Sequence, residues 1–471
     1  PRRATHPTSG VRYPYFHGKT SKHETFNRAS KVVGRWRFKK STEQGSQEIV
    51  LTGQELIDDL EWRGLVAQTT DRNELIKALD SGPVTLYIGF DPTAASLHIG
   101  SLAVLLALKR FQLAGHRPIA LVGGATGLVG DPSGKSEERT LNDEKVVAQY
   151  VARIRKQVEP YLDFNDSPTG ALVVNNLEWT EPLSAIALLR DIGKHFSVNQ
   201  MLAKDSVSSR LNANGISYTE FSYQVLQGFD FLELYRRHHC TLQIGGSDQW
   251  GNIIAGLDLI RKVEQGSAHC LTIPLVTKSD GTKFGKTASG TVWLDSELTS
   301  AYALYQYWLG VDDRDVISYI KIFTFATRDE VAVLEKELSE NPGARNAARF
   351  LAQDVTARVH GSDAMRKVEE VSKALFGQGD LGAVDGATLA AAAANLPNTP
   401  FTEGMLALDA FALSGLCDSK SAARRLIKEG GAYLNNERIS DEGAILNKSQ
   451  LIKGNFILLR KGKRELAAVL A

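Results

Sequence analysis

Two apolar runs flanking one helix constrain this chain more than any other feature. "VTLYIGF" (Val84 to Phe90) is short, β-branched and aromatic, and it is bounded by Pro83 and by Asp91-Pro92, the pattern of a buried strand. Residues 98–114 then read as a helix stopped at Gly115, which suits the left-handed turn beyond a helix end. "RPIALVGG" follows as a second strand. Strand, helix and strand within about forty residues form a βαβ unit. Such a unit implies a parallel sheet that binds its ligand at the carboxyl ends of the strands.

The rest of the chain can be placed around that unit. "LTGQELIDDLEWRGLVAQTT" is helical, with Leu56, Leu60 and Leu65 on one face. "TLQIGG" reads as another strand that passes through a glycine pair into the helix "SDQWGNIIAGLDLIRKV". Beyond about residue 300 the pattern becomes helical and amphipathic. A Gly-, Ala- and Pro-rich stretch at 377–402 reads as a linker region. Residues 403–471 have a helix-then-strand character of their own and the basic cluster "SKSAARRLIKEGG". A length of 471 residues exceeds one ordinary core. The expected division is therefore 1–50, 51–300, 301–376, 377–402 and 403–471.

Charge separates the first segment from the others. Residues 1–50 carry 11 Lys and Arg against 3 Asp and Glu, whereas the remainder carries 44 against 51. The segment lacks apolar periodicity, and we read it as a basic, disordered extension without a role of its own. A nucleic-acid-binding arm and the remnant of a transit peptide are its other readings. No apolar run approaches the roughly 20 residues that span a membrane, so no membrane partner is expected. Cys240, Cys270 and Cys417 are too few and too scattered for a disulfide framework or a zinc site. They point to a reducing compartment, hence a cytoplasmic setting, or an organellar one if 1–50 is a transit remnant.

Four stretches carry chemistry. In "FDPTAASLHIGS" a His-x-Gly pair opens an apolar helix. Unpaired amides and the positive dipole end make such a helix start attractive to phosphate, and His98 can add a donor as charge builds. "GGATGLVGDPSGKSEER" is glycine-rich directly after a strand, yet it matches neither a dinucleotide fingerprint nor a Walker A loop. "KSDGTKFGKTASG" sets Lys283 and Lys286 in a loop after a tight Asp280-Gly281 turn, where mobile ammonium groups suit a polyphosphate. In "SYTEFSYQVLQGFDFLEL", Tyr223, Gln227 and Asp230 share one face of an otherwise apolar helix. Such a ladder is either an internal polar network or a binding site.

Taken together, these stretches resemble a class I aminoacyl-tRNA synthetase, specifically the bacterial-type tyrosyl-tRNA synthetases. "HIGS" resembles that family's HIGH signature and "KFGKT" its KMSKS signature, while "GKHFSVNQMLAKDSV" and "LQIGGSDQWGN" also match. The likeness covers roughly residues 55–471. It implies an α/β fold class: a Rossmann-like parallel-sheet catalytic domain, an α-helical tRNA anticodon-side domain, and a small α+β S4-like C-terminal domain.

The resemblance also implies roles. Tyr87 and Asp230 would hold a substrate phenol, and Tyr223, Gln227 and Asp131 its ammonium, with Gln249 near the reacting carboxylate. Asp91, Gly246 and Asp248 would meet the adenosine portion of ATP. Gly100, Ser101 and Thr287 belong to the matched nucleotide-binding signatures. Thr93 and His98 would meet the γ-phosphate, and Lys135, Arg139, Lys283 and Lys286 the departing pyrophosphate. Lys420, Arg424, Arg425 and Lys428 would face RNA phosphates, which position RNA without reading its sequence. Two departures stand out: Ser101 replaces the second histidine of HIGH, and Ile88 stands where many relatives carry cysteine.

The implied function is tyrosine–tRNA ligation. The partners would be L-tyrosine, ATP with Mg²⁺, tRNA(Tyr) and a second copy of the chain, with no protein-caged metal. A tryptophan-specific synthetase and a catalytically silent RNA-binding or splicing cofactor on the same scaffold are the alternatives. The glycine spacing excludes a nicotinamide oxidoreductase.

Overall fold

The computed structural model describes residues 51–471 except 134–141, 205–206, 209–210, 212–214, 283, 288–289 and 464, and of Lys286 and Thr287 it describes only the backbone. The basic extension 1–50, Lys135, Arg139 and Lys283 therefore lie outside the described residues. The chain divides into two compact units, one ending at Leu294 and including Lys321–Phe323, the other formed by Asp295–Ile320 and Thr324–Ala471.

The first unit is built on a six-stranded sheet. Its strands are β1 (Gln68–Thr69), β2 (Thr85–Phe90), β3 (Arg117–Val122), β4 (Leu172–Asn175), β5 (Cys240–Gly246) and β6 (His269–Ile273), in the order β1-β6-β5-β2-β3-β4. Neighbours among β2 to β6 run parallel, and β1 closes the edge antiparallel to β6. The chain winds outward from β2 through β3 to β4, then restarts on the other flank of β2 with β5. The reversal between β2 and β5 opens a crevice beyond their carboxyl ends, the usual place for a ligand in an open α/β sheet.

Two helices bring side chains to that crevice, α1 (Ile99–Leu113) and α2 (Tyr218–His238), while a third, α3 (Trp250–Glu264), starts just after the lining residue Gln249. Helix α1 is buried along most of its length, as its near-continuous apolar sequence requires. It starts at the N-cap His98 and is followed by Gly115 at positive φ, as the sequence predicts. Helix α2 begins at Ser217, whose hydroxyl accepts from the Glu220 amide at 3.3 Å, and it ends in Arg236, Arg237 and His238, which favour the negative end of the dipole. It buries Phe229, Phe231 and Leu232 under the sheet together with Asp230.

After β6 a short hairpin of β7 (Lys286–Thr287) and β8 (Gly290–Thr291) returns the chain to α1. The Ile99 amide donates to the Val292 carbonyl and the Val292 amide to the Gly285 carbonyl, both at 2.9 Å.

The second unit opens with helices that include α4 (Ala301–Leu309), α5 (Asn346–His360) and α6 (Ser362–Leu375). It closes with a five-stranded sheet in the order β11-β10-β12-β13-β9, whose members are β9 (Asn398–Pro400), β10 (Ala432–Leu434), β11 (Glu437–Arg438), β12 (Phe456–Lys461) and β13 (Glu465–Leu470). The stretch 377–402, expected as a linker, is ordered structure instead. Its alanine run forms helix α7 (Gly386–Ala394), which buries Leu389, Ala392 and Ala393, and β9 pairs parallel with β13. Small side chains let that helix pack closely, so the composition reads as flexible only when packing is left out of account. Helices α8 (Ala407–Leu413) and α9 (Lys420–Lys428) supply Phe411, Ala423 and Ile427 to the core of this sheet.

Candidate active site

A cavity of about 310 Å³ opens at the β2/β5 crevice. It is lined by Tyr87, Asp91, Thr93, His98, Ser101, Asp131, Tyr223, Gln227, Asp230, Gly246 and Gln249, residues singled out from the sequence and scattered over more than 160 positions of chain. Ile88, the other departure from the family pattern, lines it as well. Gly100 and Asp248 neighbour lining residues without being among them.

The floor is held by a chain of hydrogen bonds. The Trp179 indole donates to Asp230 Oδ1 at 2.8 Å, and Asn176 Nδ2 donates to Asp230 Oδ2 at 2.9 Å. The Asn176 amide is itself fixed, because its oxygen accepts from the Ala125 amide at 2.8 Å while Nδ2 also reaches Thr126 Oγ1 at 3.1 Å. The Thr126 hydroxyl donates to Asp91 Oδ1 and the Tyr223 hydroxyl to Asp91 Oδ2, each at 2.7 Å. One polar network thus joins Asp230 to Tyr223 across the carboxyl ends of β2, β3 and β4. Asn176, Trp179 and Thr126 were not anticipated from sequence. The signal for Asn176 and Trp179 was the turn "NNLEW" at the end of an apolar strand, and for Thr126 the glycine-rich stretch after β3, where an α/β sheet places polar ligand-side groups.

Gly123 explains part of the glycine-rich loop. A Cβ at that position would overlap the Asp91 carboxylate and the Thr126 hydroxyl, so only glycine lets those two groups meet.

Electrostatics favour a ligand with donors to offer. Burial pushes the Asp230 carboxyl up to about 7, a rise that the Asn176 and Trp179 donors partly counter. Burial likewise holds the Tyr87 hydroxyl well above its ordinary value, and Asp230 adds to the effect. Tyr87 Oη and Gln227 Oε1 are buried and have no hydrogen-bond partner among the described residues. Buried oxygens of this kind are costly unless something else completes them. Among the described lining residues there are three carboxylates and no lysine or arginine, a setting suited to an ammonium group.

At the rim, Asp131 accepts from Gln249 Nε2 at 2.7 Å and from the Ser133 amide at 2.9 Å. His98 caps its own helix: the Ser101 amide donates to its carbonyl at 2.9 Å and to its ring Nδ1 at 3.3 Å. One first-turn amide that the sequence left open to phosphate is therefore already used. A side chain at Gly100 would stand 2.8 Å from the His98 ring, so the glycine preserves that cap. A Cβ at Gly285 would touch Ile99 Cγ2 at 2.8 Å, which places the lysine hairpin against the His98 turn.

In the second unit, Lys420, Arg424, Arg425 and Lys428 stand exposed along α9 while Ala423 and Ile427 face the core. Lys420 pairs with Asp409 at 2.9 Å, and Arg424 and Lys428 share Glu442, each at 3.1 Å.

Comparison with known proteins places the chain in a family. A family model described as class I tRNA synthetases (W and Y) matches residues 79–377, and one described as the SYY-like C-terminal domain of tyrosine–tRNA ligase matches 388–469. The tyrosine–tRNA ligase of Streptomyces avermitilis is 57% identical over 417 residues, which are 88% of this chain and 98% of that one. That of Mycobacterium bovis is 53% identical over 421 residues, again 88% of this chain and 98% of the other. A C-terminally truncated mitochondrial tyrosyl-tRNA synthetase from Aspergillus nidulans is a structural neighbour, with TM-score 0.62 and 26% identity over 75% of this chain and all of that one. By its matched domains, its near full-length relatives and its parallel-sheet core, the chain belongs to the class I tRNA synthetases, among the tyrosine–tRNA ligases.

Proposed function

We propose that the β2/β5 cavity binds L-tyrosine with its ring on the floor, the hydroxyl between Tyr87 and Asp230 and the ammonium among Asp131, Tyr223 and Gln227. The observation that carries this reading is the buried, unpartnered Tyr87 hydroxyl beside a carboxylate already fixed by Asn176 and Trp179. A site built to bond a hydroxyl rejects the analogue that lacks it, because its buried polar groups then go unpaired; this enzyme family is itself the standard illustration of that rule.

ATP enters from the rim, with its adenosine portion near Asp91, Gly246 and Asp248 and its phosphates toward Thr93 and His98. A carboxylate oxygen of tyrosine attacks the α-phosphorus, the bond to the β-phosphate breaks, and pyrophosphate leaves. A ribose hydroxyl of the terminal adenosine of tRNA(Tyr) then attacks the tyrosyl carbonyl and AMP departs. No protein nucleophile takes part; positioning and matched cations lower the barrier. Lys135, Arg139, Lys283 and Lys286 supply those cations, and Mg²⁺ arrives with the nucleotide.

Two partners complete the reading. RNA lies along α9, and a second copy of the chain covers the exposed apolar side chains Ile186, Leu189, Val198 and Tyr218. The decisive test is aminoacylation of unfractionated bacterial tRNA with labelled amino acids. Tyrosine alone should enter tRNA, and a chain that binds tRNA without charging it would restore the silent-scaffold reading.

A further inference from the structure

The polar ladder of α2 does not stop at the cavity floor. The spacing that aligns Tyr223, Gln227 and Asp230 continues through Glu233 to Arg237 on the same stripe of the helix. Glu233 is 8% exposed, too deep for an unpaired carboxylate. Arg237 Nε donates to its Oε2 at 2.8 Å and Arg236 Nη1 to its Oε1 at 3.1 Å. Arg236 divides its charge with Glu264, 2.7 Å away at the end of α3. Arg237 instead turns its guanidinium over the indole of Trp179, with the central carbon 5.5 Å from the ring centre. That indole is the one that donates to Asp230 at 2.8 Å. Arg237 does not line the cavity, so any influence it has on substrate passes through these neighbours.

We propose that Arg237 is a positioning residue for tyrosine binding, acting through Trp179 and Glu233 on the Asp230 carboxylate, a proposal resting on the tyrosine reading above. A cation over the indole face draws on the electron density of the ring, which makes the N–H a stronger donor to Asp230. The ion pair also offsets the Glu233 charge, which opposes ionisation of Asp230 one helical turn away. The other titratable groups facing Asp230 are Tyr87 and Asp91 at β2 and Tyr223 on α2, while the turn after β4 brings the neutral donors Asn176 and Trp179. None of these groups is a cation. Arg237 therefore supplies positive charge to the floor from outside the cavity.

The test compares wild type with Arg237→Gln, Arg237→Lys and the double variant Glu233→Gln/Arg237→Gln, using tyrosine-dependent pyrophosphate exchange from pH 5.5 to 8.5. At pH 7, R237Q should lose about threefold to tenfold in kcat/KM for tyrosine through KM, with kcat within about twofold. The acid limb of its kcat/KM profile should move up by about half a pH unit, because Asp230 then ionises against an uncompensated Glu233. Lysine keeps the charge and should restore most of the loss, and the double variant should return the limb to within about 0.2 units of wild type. An unchanged R237Q, a loss that leaves the acid limb in place, or an equal loss in R237K would overturn the proposal. Absence of tyrosine-dependent exchange in the wild-type chain is a separate result, and it would remove the underlying reading along with this one.

Discussion

The Trp179 indole N–H donates to the Asp230 carboxylate at 2.8 Å, deep under the cavity floor. A hydrogen bond to a charged group typically contributes about 1.5–3 kcal/mol. Trp179→Phe should therefore cost roughly tenfold to a hundredfold in kcat/KM for tyrosine, because Asp230 loses both orientation and a donor that favours its charged form. Steady-state pyrophosphate exchange reads this directly, and an unchanged value would separate Trp179 from the site.

Asp230 also gives stability a pH signature. The unfolded carboxyl has the ordinary value of 3.8 and the buried one is raised to about 7, so the native state binds the proton more tightly. Its contribution is fully present below about pH 4 and is lost as pH rises through 7, by at most about 4 kcal/mol. Asp230→Asn does not titrate, so the stability of D230N relative to wild type should improve from pH 5 to pH 8. Urea unfolding at the two pH values measures the gap, and a constant gap would contradict the assignment.

Part of this site was legible from spacing and helix-end chemistry, whereas Tyr87, Asp91, Asp131 and Gln249 were named only through the family resemblance. Tyr223, Gln227 and Asp230 fall on one face of α2 by helical spacing alone, and Tyr87 falls on a strand bounded by prolines. Asn176, Trp179 and Thr126 were hidden because only the parallel alignment of β3 and β4 brings their turns next to Asp91 and Asp230. The His98 cap was hidden because a ring nitrogen bonding its own helix depends on a rotamer. The alanines of α7 misled because composition does not register what lies against them.

Gly123→Ala tests whether the Asp91–Thr126 contact matters. The added methyl must displace the Asp91 carboxylate, the Thr126 hydroxyl or both. Stability should fall by about 1–3 kcal/mol and tyrosine affinity with it. Thermal unfolding and equilibrium dialysis would show both effects, whereas a neutral substitution would mean the backbone yields at no cost.

For the lysine hairpin, Lys283→Ala and Lys286→Ala should slow adenylate formation by orders of magnitude and leave the tyrosine dissociation constant within about twofold, because contacts to departing phosphate form late. Single-turnover fluorescence or quench-flow separates the two quantities. Matched losses in binding and rate would place these lysines in ground-state binding instead.

On α9, Arg425→Ala should weaken tRNA binding several-fold and reduce the salt dependence of binding by about one phosphate contact, with tyrosine exchange unchanged. Filter binding across a salt series measures both. A loss of exchange would point to misfolding rather than to a phosphate contact.

Pyrophosphate exchange with tyrosine, phenylalanine and tryptophan tests the central claim most directly. The account predicts rapid exchange with tyrosine, exchange lower by orders of magnitude with phenylalanine, and none with tryptophan. Comparable exchange with phenylalanine or tryptophan, or none with tyrosine, would contradict a cavity that reads a hydroxylated ring.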